Sequence, residues 1–142
     1  MKQLEGSPWS ALYNGITFDK RGQLIVCNGI THALSIFQLT PDYKVESMKT
    51  FSLKSSCDNV RYDEERDEVW IGSNLLGYEF LAMKKHVNWE TFKLEDSFTA
   101  WGSSSKAKFN ENGDLEKEEM LVVSNDMVRF GTGSLRIGDY FF

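Results

Sequence analysis

Apolar and polar positions alternate along most of this chain, and short clusters of charged residues, Gly, Pro, Asn and Asp interrupt the alternation at regular intervals. A period of two is the mark of extended backbone, whose successive side chains point to opposite faces. Gly15 to Phe18 and Gln23 to Cys27 read as a hairpin around Asp19-Lys20-Arg21-Gly22. Ala33 to Leu39 is a third strand, Pro41-Asp42 turns it, and Val45 to Leu53 is a fourth. The plan starts again with strands at Asn59 to Tyr62, Glu68 to Gly72, Gly77 to Met83 and Trp89 to Leu94. Asp96 to Ser105, rich in Ser and turn formers, is expected to be a loop. A third unit takes Ser105 to Asn110, a turn at Asn112-Gly113-Asp114, then Met120 to Ser124, Met127 to Thr132 and Ser134 to Phe142. The segment before Tyr13, with Ser7-Pro8 as a turn signal, is expected to be an incoming loop.

Two of these stretches repeat one another. Asn14 to Gly29, NGITFDKRGQLIVCNG, and Asp58 to Asn74, DNVRYDEERDEVWIGSN, each run from an Asn through an alternating strand to an aromatic-Asp pair (Phe18-Asp19; Tyr62-Asp63). A charged turn and a second apolar run follow in both (Leu24 to Val26; Val69 to Ile71). The interval from Asn14 to Asn59, about 45 residues, matches the period of about 40–50 expected of β-propeller blades. The fold expected is therefore all-β, a partial β-propeller of about three four-stranded blades, forming a single domain over residues 1–142. Three wedge-shaped blades do not close a ring. The chain is expected either to be part of a larger propeller or to associate with another chain, for example a second copy, through its open blade edges.

Composition narrows the function classes. With 142 residues, 41% of them hydrophobic and 26% charged, the chain can bury a core. A net charge of −5 gives no electrostatic case for nucleic acid. No run of about 18 apolar residues is present, and the first residues lack the apolar core of a secretion signal. Cys27 and Cys57 are read as free thiols near strand ends, with a single bridge as the alternative, so the redox compartment stays open. A propeller gathers the starts of its innermost strands around one axis, and Asn14, Asp58 and Asn59 fall at such starts. Their oxygens suit a hard cation. His32 is a candidate general base, since imidazole titrates near neutrality. Ser103-Ser104-Ser105 has no nameable partner and no Gly-x-Ser-x-Gly elbow occurs. Trp70, Trp89 and Trp101 are expected to pack between blades.

The ordered set Asn14-Gly15-Ile16, His32, Asp58-Asn59, Trp70-Ile71-Gly72 and Phe130-Gly131-Thr132 resembles the C-terminal part of the paraoxonase (serum paraoxonase/arylesterase) family, over nearly the whole chain from about Leu12. The resemblance implies a six-bladed propeller with calcium in its central tunnel and hydrolysis of lactones and aryl esters. Carried over, it makes Asn14, Asp58 and Asn59 ligands of the catalytic Ca2+ and puts His32 near the mouth of the active site. It also implies frequent extracellular location. The chain departs from the family pattern in three ways. The other calcium ligands and the family's histidine pair would lie upstream of Met1, a later active-site histidine is Asn74 here, and the C-terminal cysteine is absent, with Tyr140 near its place. The expected function is a calcium-dependent arylesterase or lactonase acting on a small ester or lactone, as a fragment or truncated relative. A non-catalytic propeller module for binding or assembly is the alternative. A gluconolactonase-type calcium hydrolase fits the His32 and Asp-Asn spacing less well.

Overall fold

A computed structural model of the chain describes residues 13–74, 85–88, 90–91, 93–94, 102–124, 136–137 and 140–141. Three of its hairpin turns are built alike. An Asx side chain at the end of a strand accepts main-chain N–H groups from the turn, and a residue with positive φ reverses the chain. Asp19 accepts from the amides of Arg21 (3.0 Å) and Gln23 (2.7 Å), with Gly22 at φ 76°. Asp63 accepts from Glu65 and Arg66, with Asp67 at φ 55°. Asn110 accepts from Asn112 and Asp114, each at 3.0 Å, with Gly113 at φ 73°. Asx side chains favour such turns because they satisfy the exposed amides locally.

Strands β1 (Tyr13–Phe18), β2 (Leu24–Asn28), β3 (Ala33–Leu39) and β4 (Val45–Ser52) form one antiparallel sheet in that order. Strands β5 (Asn59–Asp63), β6 (Glu68–Asn74), β9 (Gly102–Lys108) and β10 (Glu119–Ser124) form a second, also antiparallel and also in chain order. Two small hairpins complete the described elements: β7 (Val87–Asn88) with β8 (Lys93–Leu94), and β11 (Arg136–Ile137) with β12 (Tyr140–Phe141). No helix occurs among the described residues.

Alternation decides which face of each strand is buried. Ile25, Cys27, Leu34 and Ile36 of the first sheet meet Val60, Val69, Ile71, Ala107 and Phe109 of the second in one core. The intervening positions Leu24, Val26 and Phe37 form a second cluster on the other face of the first sheet, against Tyr13, Leu39 and Val45. β2 is thus buried at all five positions, while β4 is largely exposed.

Four sequence expectations change here. The described residues form two four-stranded sheets where three were expected, because Gly102–Lys108 and Glu119–Ser124 complete the second sheet instead of starting a third. Ser103 to Ser105, read as loop, are buried in β9, paired with β6 on one side and β10 on the other. Their hydroxyls find partners inside: Ser105 donates to Glu118 (2.6 Å), and Ser103 lies 3.4 Å from both the Ser55 hydroxyl and the Ser73 carbonyl oxygen. A strand satisfied in this way needs no apolar alternation. Trp89 to Leu94, read as one strand, spans a turn at Glu90 and Thr91 leading into β8. Cys27 and Cys57, read as free thiols, form a disulfide with α-carbons 5.4 Å apart. The expected strands at Gly77 to Met83 and Met127 to Thr132 lie outside the described residues, as do Trp89 and Trp101.

Candidate functional site at the junction of the two sheets

The two sheets touch through their first strands, β1 and β5. The approach is close because position 15 is glycine. A β-carbon on Gly15 would lie 2.5 Å from the Asn59 α-carbon, 2.6 Å from the Val60 nitrogen and 2.7 Å from the Asp58 carbonyl oxygen, distances that no side chain tolerates. The Gly15 amide donates to the Asp58 carbonyl at 2.6 Å, and the Asp58 amide donates to Gly72 at 3.0 Å. Main-chain contact thus sets Asn14 beside Asp58, and the Asn14 side-chain amide donates to the Asp58 carboxylate.

The two residues are 44 apart in the chain, Asp58 directly preceding Asn59, the repeat equivalent of Asn14. Burial pushes the Asp58 carboxyl above its usual range, and the Asn14 amide partly offsets this by favouring the ionised form. Asn59 opens β5 and is exposed, its α-carbon held against Gly15. Three oxygen-bearing side chains therefore start from one short stretch of backbone where two sheets meet. His32, the candidate base, lies just before β3. It ends the turn between β2 and β3 with φ 50°, and its carbonyl accepts from the Leu53 amide at 2.8 Å. The antiparallel registers Tyr13–Asn28, Asn28–Ala33 and Ala33–Ser52 put this turn at the same end of the first sheet as Asn14, two strands farther along the sheet.

The donor chemistry fits a hard cation in kind: one carboxylate and two amide oxygens, with the Asn14 amide needing only a half-turn to offer its oxygen beside Asp58. It falls short in number, since calcium takes six to eight oxygens. Among the described residues no group of three or more His, Cys, Asp or Glu side chains gathers to hold a metal.

Two features of the site were missed in the sequence. Gly15 reads there only as the start of the first strand, though it serves as the contact point between sheets. Cys57 directly precedes Asp58 and is bonded to β2, so the covalent link and the polar pair share one junction. The only available signal was that Cys27 ends the second strand of one unit and Cys57 precedes the first strand of the next.

At the opposite end, Arg21 from the β1–β2 turn reaches Asp67 in the β5–β6 turn with two hydrogen bonds, one of 2.8 Å. Tyr62 donates to the same carboxylate at 2.8 Å, and Lys20 lies 3.2 Å away. The Arg21 guanidinium, with help from Tyr62 and Lys20, holds the Asp67 carboxyl well below the usual carboxylate range. Burial, reinforced by the hydrogen bond to Asp67, pushes the Tyr62 phenol up to about 12. Arg21 also lies over the Phe109 ring, 4.7 Å from its centre.

No protein-family model matches this chain, and no curated protein matches it. Among solved structures it is similar to the holo form of the pyranose dehydrogenase PQQ domain from Coprinopsis cinerea, with 14% identity and a TM-score of 0.52. The likeness covers 88% of this chain and 24% of that one, so the chain spans about a quarter of that domain's length. At this identity the likeness is one of fold.

Proposed function

We propose that the two sheets are blades of a β-propeller of paraoxonase type, in the family six-bladed, and that the chain belongs to a calcium-dependent hydrolase of aryl esters and lactones. The observation that carries this reading is the meeting of Asn14 and Asp58 across the two sheets. Two stacked four-stranded meanders touching at their first strands have the relation of neighbouring blades around an axis. Asp58 contributes the negative charge, Asn14 and Asn59 contribute amide oxygens, and the remaining ligands come from outside these three residues. Asn14, Asp58 and Asn59 would hold a calcium ion, which would supply Lewis acidity toward an ester carbonyl. Asn14 holds the Asp58 carboxylate in place through its amide, and the close contact at Gly15 keeps the two strands from separating. In this reading His32, at the same end of the first sheet, takes the proton from the attacking water.

A second reading, a non-catalytic module for binding or assembly, is favoured by the shortage of ligands among the described residues and by Asn74 at the place of a family histidine. One experiment separates them. On the hydrolase reading, calcium raises the melting temperature of the purified chain, phenyl acetate or a simple lactone is turned over, and Asp58→Asn removes both effects. Without a calcium-dependent Tm or turnover, the hydrolase reading fails for this polypeptide and the module reading stands.

A further inference from the structure

We propose that the Cys27–Cys57 disulfide is a redox-controlled clamp on the crossing that leads into Asp58, so that a dithiol reductant loosens the junction around Asn14 and Asp58. The bridge joins β2 of the first sheet to the residue directly before Asp58, spanning 30 positions of chain. Cys57 belongs to a segment without regular structure, from Leu53 to Asp58, that crosses from β4 of the first sheet to β5 of the second. Hydrogen bonds also hold this crossing: the Leu53 amide to the His32 carbonyl, the Lys54 amide to the Glu118 carboxylate, the Ser103 hydroxyl to the Ser55 hydroxyl, and the Asp58 amide to the Gly72 carbonyl. The disulfide is its covalent tie, one peptide bond from the carboxylate in question. Gly29 leaves room for it, since a β-carbon there would lie 3.2 Å from the Cys57 carbonyl oxygen.

The chemistry is a thiol–disulfide exchange. A thiolate of the reductant attacks one sulfur of the bridge, the mixed disulfide is resolved by the second thiol, and the reductant leaves as its own disulfide. Two electrons and two protons pass to the protein, which gains the Cys27 and Cys57 thiols. Both half-cystines are buried, at 0% and 2% exposure, so attack requires the crossing to open locally while the sheets persist. Cys57 then loses its tether to β2. Asp58 remains joined to the first sheet through its carbonyl and its carboxylate, both contacts lying at the junction itself.

Only the affinity arm below rests on the calcium reading; the clamp is read separately. The full chain is prepared oxidised, treated with dithiothreitol, and reoxidised with oxidised glutathione. The readouts are thiol counting, far-UV circular dichroism, and NMR of the Asn14 side-chain amide and the Asp58 main-chain amide. The clamp predicts two thiols released with the sheet spectrum retained, displaced Asn14 and Asp58 amide resonances, and reversal on reoxidation. If calcium binds the oxidised chain, reduction weakens it by roughly tenfold, the scale of losing an outer-shell support. Response of Asn14 and Asp58 without any calcium binding leaves the clamp standing and removes the calcium reading. Unchanged Asn14 and Asp58 signals after both thiols are released overturn the clamp. So does release of thiols only on global unfolding, with the double variant C27A/C57A unfolded as well, since the bridge is then a structural staple alone.

Discussion

Gly15 has no slack in three directions, and the groups it would strike are main chain. Gly15→Ala must therefore separate β1 from β5, and we expect a loss of about 1–3 kcal/mol, the usual range for overpacking a tight contact, read by urea denaturation at neutral pH. Charge at single residues gives a second test. The Asp67 carboxyl is held low by Arg21, so the stability it contributes is present above the ordinary carboxylate pKa of about 4 and is lost as pH falls through the folded-state value. Asp58 has the opposite sign: its ionisation is disfavoured in the fold, so its contribution favours the protein at low pH and declines as pH rises past that same ordinary value. Asp67→Asn is expected to flatten the loss of stability between pH 7 and pH 3, whereas Asp58→Asn steepens it. Denaturant midpoints at the two pH values decide both. Asn14 and Asp58 were legible at this scale because Asn14 and Asn59 repeat at one register and Asp58 directly precedes Asn59. Gly15 was not, since nothing local distinguishes a glycine at a strand start from one under a neighbouring strand.

Hairpins were the most readable elements. β3 and β5–β6 begin where alternation and turn chemistry put them, because each strand carries its own apolar face and each turn its own Asp and positive-φ residue. β9 was misread because three of its buried positions, Ser103 to Ser105, are serines, and burial secured by hydrogen bonds leaves no hydrophobic period there. Its partner Glu118 is 4% exposed and accepts from both the Ser105 hydroxyl and the Lys54 amide. Glu118→Ala leaves the buried Ser105 hydroxyl unpaired, with an expected cost of about 1–3 kcal/mol, measured by thermal or urea unfolding, while the Lys54 amide belongs to an exposed residue and adds less. Ser105→Ala removes one of the two bonds and is expected to cost less. The disulfide was only the alternative in the sequence for a different reason: its two residues are neighbours only once the sheets have stacked. Closing a loop of this length restricts the unfolded chain, so C27A/C57A is expected to lower stability by about 3–4 kcal/mol relative to the oxidised protein, read by urea denaturation without reductant.

For the whole molecule, the all-β class was legible from alternation and the absence of long helical periods, while the pairing of strands into sheets was not. A contiguous meander was expected in the second unit, but β6 pairs with β9, across the small β7–β8 hairpin. Sheet membership depends on contacts distant in sequence, which composition and period do not encode. Ile16 and Phe18 on the edge strand β1 remain exposed at 61% and 54%. If the open edges associate as the propeller reading expects, the chain is larger than 16.3 kDa by light scattering at micromolar concentration, and Phe18→Lys shifts it toward the monomer.

The seam between the sheets is fastened at its two ends by different chemistry: a guanidinium–carboxylate pair at one, two sulfurs at the other. The ends lie about a strand's length apart, roughly 15–20 Å, far enough for the fastenings to act independently. Concentrated salt weakens the first and leaves the second intact, whereas a thiol reagent does the reverse. Ionic strength and redox potential are thus separate handles on one joint, and their effects on its opening should simply sum.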